Sequence, residues 1–149
     1  MKNGVSYQQL QEILKGSGLK STSQRLIILE ALYNLKHPSA EKIFDYVTVR
    51  LPGLSLGTVY KTLDTLVQNN LASKVLSDSG NFRYDCNTSS HNHIYCTNTD
   101  EIIDYEDDEL KELLTDYFNR KTKKNLRITD IRLQINAEKM DPKLEIQIT

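Results

Sequence analysis

Four stretches in the first 70 residues each open near a hydroxyl-bearing residue, then repeat apolar side chains three and four apart; a glycine-bearing turn between two apolar runs follows them. That order constrains the fold more than any other feature. Ser6 is placed to cap a first helix with Leu10, Ile13 and Leu14 on one face, ended by Gly16 and Gly18. Ser21 with Gln24 reads as a capping box for a second helix carrying Leu26, Leu29, Ala31 and Leu32 to about Leu35. Pro38 disfavours helical geometry at His37 and breaks the run. Ser39 caps a third helix with Ala40, Ile43, Phe44 and Val47 inward, stopped by Pro52-Gly53-Leu54. Ser55 caps a fourth over 56–67, with Val59, Leu63, Leu66 and Val67 buried, Thr58, Lys61, Thr65 and Gln68 outward and Tyr60 at the edge. A strand over 71–76, a polar turn over 77–81 and a strand over 82–85 form a hairpin.

Helices, a hydroxyl-rich fourth helix and a hairpin make a winged helix. Hydroxyls and a cation near the N-terminal end of an exposed helix suit a DNA major groove. The net charge of −1 argues against a nucleic-acid binder taken whole. Residues 1–85, however, carry ten Lys/Arg against seven Asp/Glu, a net of +3, while residues 86–149 carry nine against thirteen. Contact with phosphate needs a local basic surface rather than a basic protein.

The second half predicts short strands over 91–97 and 101–105. Asp107 and Asp108 can cap a helix whose Leu110, Leu113, Leu114, Tyr117 and Phe118 share a face. A long strand over 126–137 follows, with a bulge near Asp130 where the apolar parity shifts. About 60 residues with so few elements are marginal alone, and dimerisation supplies the missing burial. The expected class is α+β: a winged-helix DNA-binding domain over 1–84, a hinge over 85–91 and a small α/β dimerisation domain over 92–149.

His91 and His93, two apart on a strand, point to one face. Asp85 lies six residues earlier and Asp104 ends the next strand; His37 stands far upstream. A His-x-His pair alone says little. Together the set offers three imidazoles and two carboxylates without thiolate, a combination suited to Fe(II), Mn(II), Co(II) or Zn(II). The same ligand types also form a non-haem oxygenase triad, which the winged helix disfavours, and no catalytic residue is assigned. Cys86 and Cys96 are too few for a disulfide framework or a four-cysteine zinc site.

At Gly18-Leu19-Lys20-x-Thr22-x-x-Arg25, His37-Pro38-Ser39-Ala40-Glu41, residues 56–63, and Arg83-Tyr84-Asp85 with His91-x-His93, the chain resembles the ferric uptake regulator family, in particular its peroxide-sensing repressor branch. The resemblance covers about residues 7–140. It implies a homodimeric repressor of palindromic double-stranded operator DNA, not an enzyme. The implied regulatory site holds Fe(II) or Mn(II), with Zn(II) as an in-vitro substitute, through His37, Asp85, His91, His93 and Asp104. Asp at 104 favours peroxide sensing; an iron-level sensor is the alternative. Hydrogen peroxide is the implied signal, with His37 and His91 sensitive to oxidation. Lys20, Ser55, Thr58, Tyr60 and Lys61 fall on DNA-contacting positions. The family often holds a structural zinc with two Cys-x-x-Cys pairs. Here those segments read Cys96-Thr97-Asn98-Thr99 and Asn136-Ala137-Glu138-Lys139, so no structural zinc is expected. The alternating tail Leu144-Glu145-Ile146-Gln147-Ile148 is expected to add an edge strand in compensation. No apolar run reaches the roughly 20 residues that span a bilayer and no signal core follows Met1, so a cytoplasmic location without membrane contact is expected.

Overall fold

The structure is a computed structural model; it describes residues 4–77, 80–89, 91–121 and 124–148. The chain divides into two compact units, Met1–Thr88 and Ser89–Thr149. The expected α+β class is borne out, with a winged-helix arrangement in the first unit.

In the first unit, α1 (Tyr7–Gly16), α2 (Ser23–Asn34), α3 (Ala40–Thr48) and α4 (Leu56–Gln68) precede an antiparallel hairpin of β1 (Ser73–Leu76) and β2 (Phe82–Asp85). Each helix is capped by a side chain. Ser6 and Gln9 form a reciprocal capping box, and Ser39 and Ser55 accept from Lys42 N and Thr58 N. Such caps contribute about 1 kcal/mol each. The cap of α2 is Thr22 rather than Ser21: Thr22 has extended backbone and accepts from Arg25 N at 3.3 Å, so the helix begins one residue later than the expected box requires.

Helix α2 is the centre of this unit. Leu26, Ile27, Ile28, Leu29, Ala31 and Leu32 are all buried, on more than one face, and Leu10, Leu14, Ile43, Val47, Val59, Leu63 and Leu66 close around them. A single-stripe reading of α2 omits Ile27 and Ile28, because a helix packed on several sides loses its period. Polar cross-links join α2 to α3: Asn34 Nδ2 donates to Tyr46 Oη at 2.9 Å, Tyr46 Oη donates to Glu30 Oε2 at 3.0 Å, and Arg50 pairs with Glu30. Strand β1 starts at Ser73 instead of residue 71. The Leu71 N–H is used to close α4, donating to Leu66 O at 2.9 Å with Asn70 at φ +58°. In the turn, Ser77 N donates to Asn81 O at 2.9 Å; Asp78 and Ser79 lie outside the described residues.

The second unit holds β3 (Asn92–Cys96), β4 (Ile102–Tyr105), α5 (Asp108–Lys121) and β5 (Gln134–Ala137), with sheet order β4-β3-β5. β3 pairs antiparallel with β4 and parallel with β5. Asp107 caps α5 through Leu110 N at 3.0 Å. Helix α5 buries no residue, and Leu113, Tyr117 and Phe118 stand exposed.

Two expected strands differ here. The long strand over 126–137 reduces to Gln134–Ala137, with no bulge at Asp130, which instead pairs with Arg132 at 2.8 Å. A strand needs a neighbour, and β3 begins only at Asn92, whose side-chain Oδ1 takes the Leu133 N–H at 3.0 Å where a backbone carbonyl would extend the ladder. The tail does not add a strand either: residues 145–148 form no strand, and Leu144 and Ile148 are exposed. Alternation marks a segment able to pair; it does not supply the edge.

Candidate metal centre

In the first unit, His37 follows the end of α2 and takes φ +42°, a left-handed backbone uncommon for a residue with a β-carbon. Strand β2 holds it there. Arg83 Nε donates to the His37 carbonyl, Tyr84 N donates to the Pro38 carbonyl at 2.9 Å, and Ser39 bridges to Arg83. Asp85, two residues beyond Arg83 on the same strand, reaches His37 Nε2 with Oδ2 at 3.4 Å. Its other oxygen, Oδ1, accepts Asn87 N at 2.9 Å and fixes the carboxylate plane. Both side chains of the pair are nearly buried.

In the second unit, His93 and Asp104 sit directly opposite each other across the β3–β4 ladder, close enough to interact. His93 Nε2 lies 3.2 Å from Asp104 Oδ1, and His91 Nε2 lies 3.2 Å from the same oxygen. His91 precedes β3 rather than lying within it, yet its ring meets that of His93 at 4.4 Å between centroids. The His91 side chain is 3% exposed. Its Nδ1 is 2.6 Å from Ser89 O. A carbonyl can only accept, so Nδ1 carries the hydrogen, and in the neutral ring the Nε2 lone pair faces Asp104. A lone pair against a carboxylate oxygen is repulsive unless a cation lies between them, either a second proton or a metal ion. Two imidazole nitrogens and a carboxylate converging in this way fit a first-row divalent metal, and the Ser89 carbonyl orients the ring as outer partners of ligand histidines do.

The structure thus brings His37 to Asp85 within one unit and His91 and His93 to Asp104 within the other. The sequence reading missed Arg83 and Ser89 as their supports. Arg83 was legible in principle, since it shares a strand face with Asp85; the Ser89 carbonyl carries no side-chain signal.

Around the N-terminus of α4, Ser55 Oγ lies 2.9 Å from Thr58 Oγ1. Tyr60 is 41% exposed and donates to Glu41 Oε1 at 2.9 Å; that hydrogen bond to a carboxylate pushes its phenol above the ordinary value. Lys61 and Lys20 are exposed, whereas Thr58 is half-buried.

Where two cysteine pairs would hold zinc, a single thiol, Cys96, stands among amide, hydroxyl and ammonium groups. Asn98 Nδ2 donates to Lys139 O at 2.9 Å, and Asn98 Oδ1 accepts Lys139 N at 3.0 Å. Thr97 N donates to Ala137 O at 2.8 Å, and Lys139 Nζ pairs with Glu101 at 2.7 Å. These residues do not fit a thiolate zinc site.

A winged-helix unit is thus followed by a unit in which two imidazoles and a carboxylate converge. The sequence model of the ferric uptake regulator family matches residues 16–136, and the chain belongs to that family. It is 35% identical over 95 residues to the peroxide operon regulator of Bacillus subtilis, a stretch covering 63% of this chain and 66% of that protein, just under two thirds of its length. It is 29% identical over 101 residues to a peroxide-responsive repressor PerR of Staphylococcus aureus, covering 67% of this chain and 68% of that one. The fold matches the Vibrio cholerae ferric uptake regulator at a TM-score of 0.72 and 25% identity, over 86% of this chain and 98% of that one. It also matches the Campylobacter jejuni peroxide stress regulator at 0.67 and 22% identity, over 91% and 96%.

Proposed function

We propose that this chain is a metal-dependent, peroxide-responsive transcriptional repressor, acting in the cytoplasm as a homodimer on palindromic operator DNA. The observation that carries the metal reading is the convergence of His91 Nε2 and His93 Nε2 on one oxygen of Asp104. His37 and Asp85 form the complementary pair in the winged-helix unit. One Fe(II) or Mn(II), or Zn(II) in vitro, is shared by the five residues across a hinge at 85–91, joining a DNA-binding domain over 1–84 to a dimerisation domain over 92–149. Only the closed arrangement gathers all five donors, so metal selects it by its differential affinity. Lys20, Ser55, Thr58, Tyr60 and Lys61 contact DNA, with α4 in the major groove. Two observations support that face: Tyr60 and Lys61 are exposed, and the Ser55 and Thr58 hydroxyls sit at a helix N-terminus, where the dipole favours phosphate.

Iron(II), when bound, supplies the reducing equivalent that cleaves the O–O bond of hydrogen peroxide. With the metal held by these residues, one peroxide oxygen would be inserted at an imidazole C–H bond of His37 or His91 and the other would leave as water, a two-electron oxidation of the ring by the peroxide itself; the oxidised ring would be a weaker donor and the hinge would open. The chain is not an enzyme in this reading, since it is consumed by the event it reports. Support for the peroxide branch comes from the two relatives named for peroxide response. The site for a structural zinc is replaced by the Asn98–Lys139–Glu101 contacts, and no structural zinc is bound.

The test is operator binding with Mn(II) and with Fe(II), each with and without peroxide, followed by mass spectrometry. Release of the Fe(II) form alone, with an added oxygen on His37 or His91 peptides, is expected. Retention on DNA without oxidised histidine would overturn peroxide sensing in favour of a sensor of iron level.

A further inference from the structure

We propose that Arg83 is a positioning residue for His37: its guanidinium, carried on the wing strand, holds the left-handed backbone of His37 and so sets where the imidazole points. The proposal rests on the reading of His37 as a metal ligand. At φ +42° the β-carbon of His37 crowds its own backbone, and Pro38 separately biases the preceding residue toward extended geometry. A conformation opposed on both counts persists only where its neighbours over-determine it. Strand β2 supplies such neighbours. Arg83 Nε donates to the His37 carbonyl, the Tyr84 N–H takes the Pro38 carbonyl at 2.9 Å, and Ser39 bridges to Arg83. The backbone bonds survive any substitution, so Arg83 is the side-chain part of the tether.

The same strand then presents Asp85, at two residues' spacing and hence on the same face, to His37 Nε2 at 3.4 Å. Tether and facing carboxylate are thus one rigid piece. If the guanidinium is lost, His37 is freed to relax toward the extended backbone usual before proline, which swings its Cα–Cβ bond away from Asp85. Strand β2 is also half of the wing hairpin, where Lys74 Nζ sits 5.0 Å from the Phe82 ring centre. A displacement of the wing is therefore passed to His37, and a displacement of His37 to the wing, by reciprocity.

The test compares full-length wild type with Arg83→Met, Arg83→Lys, His37→Ala and the Arg83→Met/His37→Ala double variant. Mn(II) affinity is titrated by electron paramagnetic resonance, and the His37 φ is read from its three-bond amide-to-α-proton coupling by NMR. Arg83→Met is expected to weaken Mn(II) binding about 10–100-fold, the range for supports of ligand residues. It should also convert the His37 coupling to an extended value in the metal-free protein. Arg83→Lys should recover part of both, because an ammonium can still donate to the carbonyl. In the His37→Ala background, Arg83→Met should cost nothing further. An unchanged coupling in Arg83→Met, or additive losses in the double variant, overturns the positioning role. If His37→Ala binds Mn(II) as tightly as wild type, the ligand reading of His37 fails instead, and the coupling still decides whether Arg83 sets its backbone.

Discussion

The two units satisfy their apolar side chains in opposite ways. The first surrounds α2 with three other helices and leaves Leu14, Leu29, Ile43, Val59, Leu63 and Leu66 with no exposure. The second buries little beyond Tyr95, Cys96, Ile102 and His91, and turns the apolar face of α5 outward. A fully buried Leu or Ile contributes about 1.5–3 kcal/mol, so the first unit has the burial to stand as a folded domain. The second relies more on directional polar contacts such as those of Asn98 with Lys139. A chain divided this way has one unit held by its own core and one that is marginal by itself.

The largest expected effect breaks the rigid side of this contrast. Leu29→Ala opens a cavity in the centre of the first unit and should cost about 2–5 kcal/mol, measured by urea denaturation. A loss below about 1 kcal/mol means that α2 is less central than its burial indicates. Asp104→Ala removes the oxygen on which two imidazoles converge. It should weaken Mn(II) binding by about a hundredfold or more, beyond the range for outer supports, while the first unit melts unchanged; equal affinity by calorimetry would refute the convergence as a ligand set. Leu113→Glu places a charge on the exposed face of α5. A dimer held by that face dissociates in analytical ultracentrifugation, whereas a solvated face changes stability by no more than about 0.5 kcal/mol.

Asn98→Ala removes two hydrogen bonds to the Lys139 backbone and should destabilise the second unit by about 1–3 kcal/mol. Cys96→Ser should leave zinc content unaltered by elemental analysis; a drop would show that a thiolate site exists after all. The smallest effect is electrostatic. The hydrogen bond from Tyr105 Oη, joined by the Leu110 N–H, holds the Asp107 carboxyl below its ordinary value. A lowered folded-state value means a stabilising contribution that is present above the unfolded value and lost as pH falls through the folded one. Asp107→Asn should therefore flatten the acid limb of α5 helicity by circular dichroism, by lowering the neutral-pH plateau slightly while leaving acid pH nearly untouched.

Much of the fold was legible because its signals are local. Caps at Ser6, Ser39 and Ser55 and the break before Pro38 act over one or two turns, and each appears where it was read; the α2 stripe was read too narrowly, without Ile27 and Ile28. The other misreadings share one cause. Residues 126–133 and the tail carry strand-like alternation, and Ser21 carries a plausible capping box, yet a strand requires an unpaired edge and a cap requires the chain to enter the helix at the right residue. Both conditions are set by other parts of the molecule.

The candidate site divides along the same line. Three histidines in 149 residues and two aspartates near them single out His37, Asp85, His91, His93 and Asp104 by chemistry alone, since nitrogen and carboxylate donors without thiolate already narrow the metal class. The sequence by itself determined which groups were available and which helices and turns would carry them. The tertiary structure decided that Asp104 meets both imidazoles through one oxygen, that a backbone carbonyl at Ser89 sets the His91 tautomer, and that Arg83 holds His37 in a left-handed backbone. Those facts depend on strand register and on main-chain atoms every residue possesses, and no pattern of side-chain identities encodes them directly.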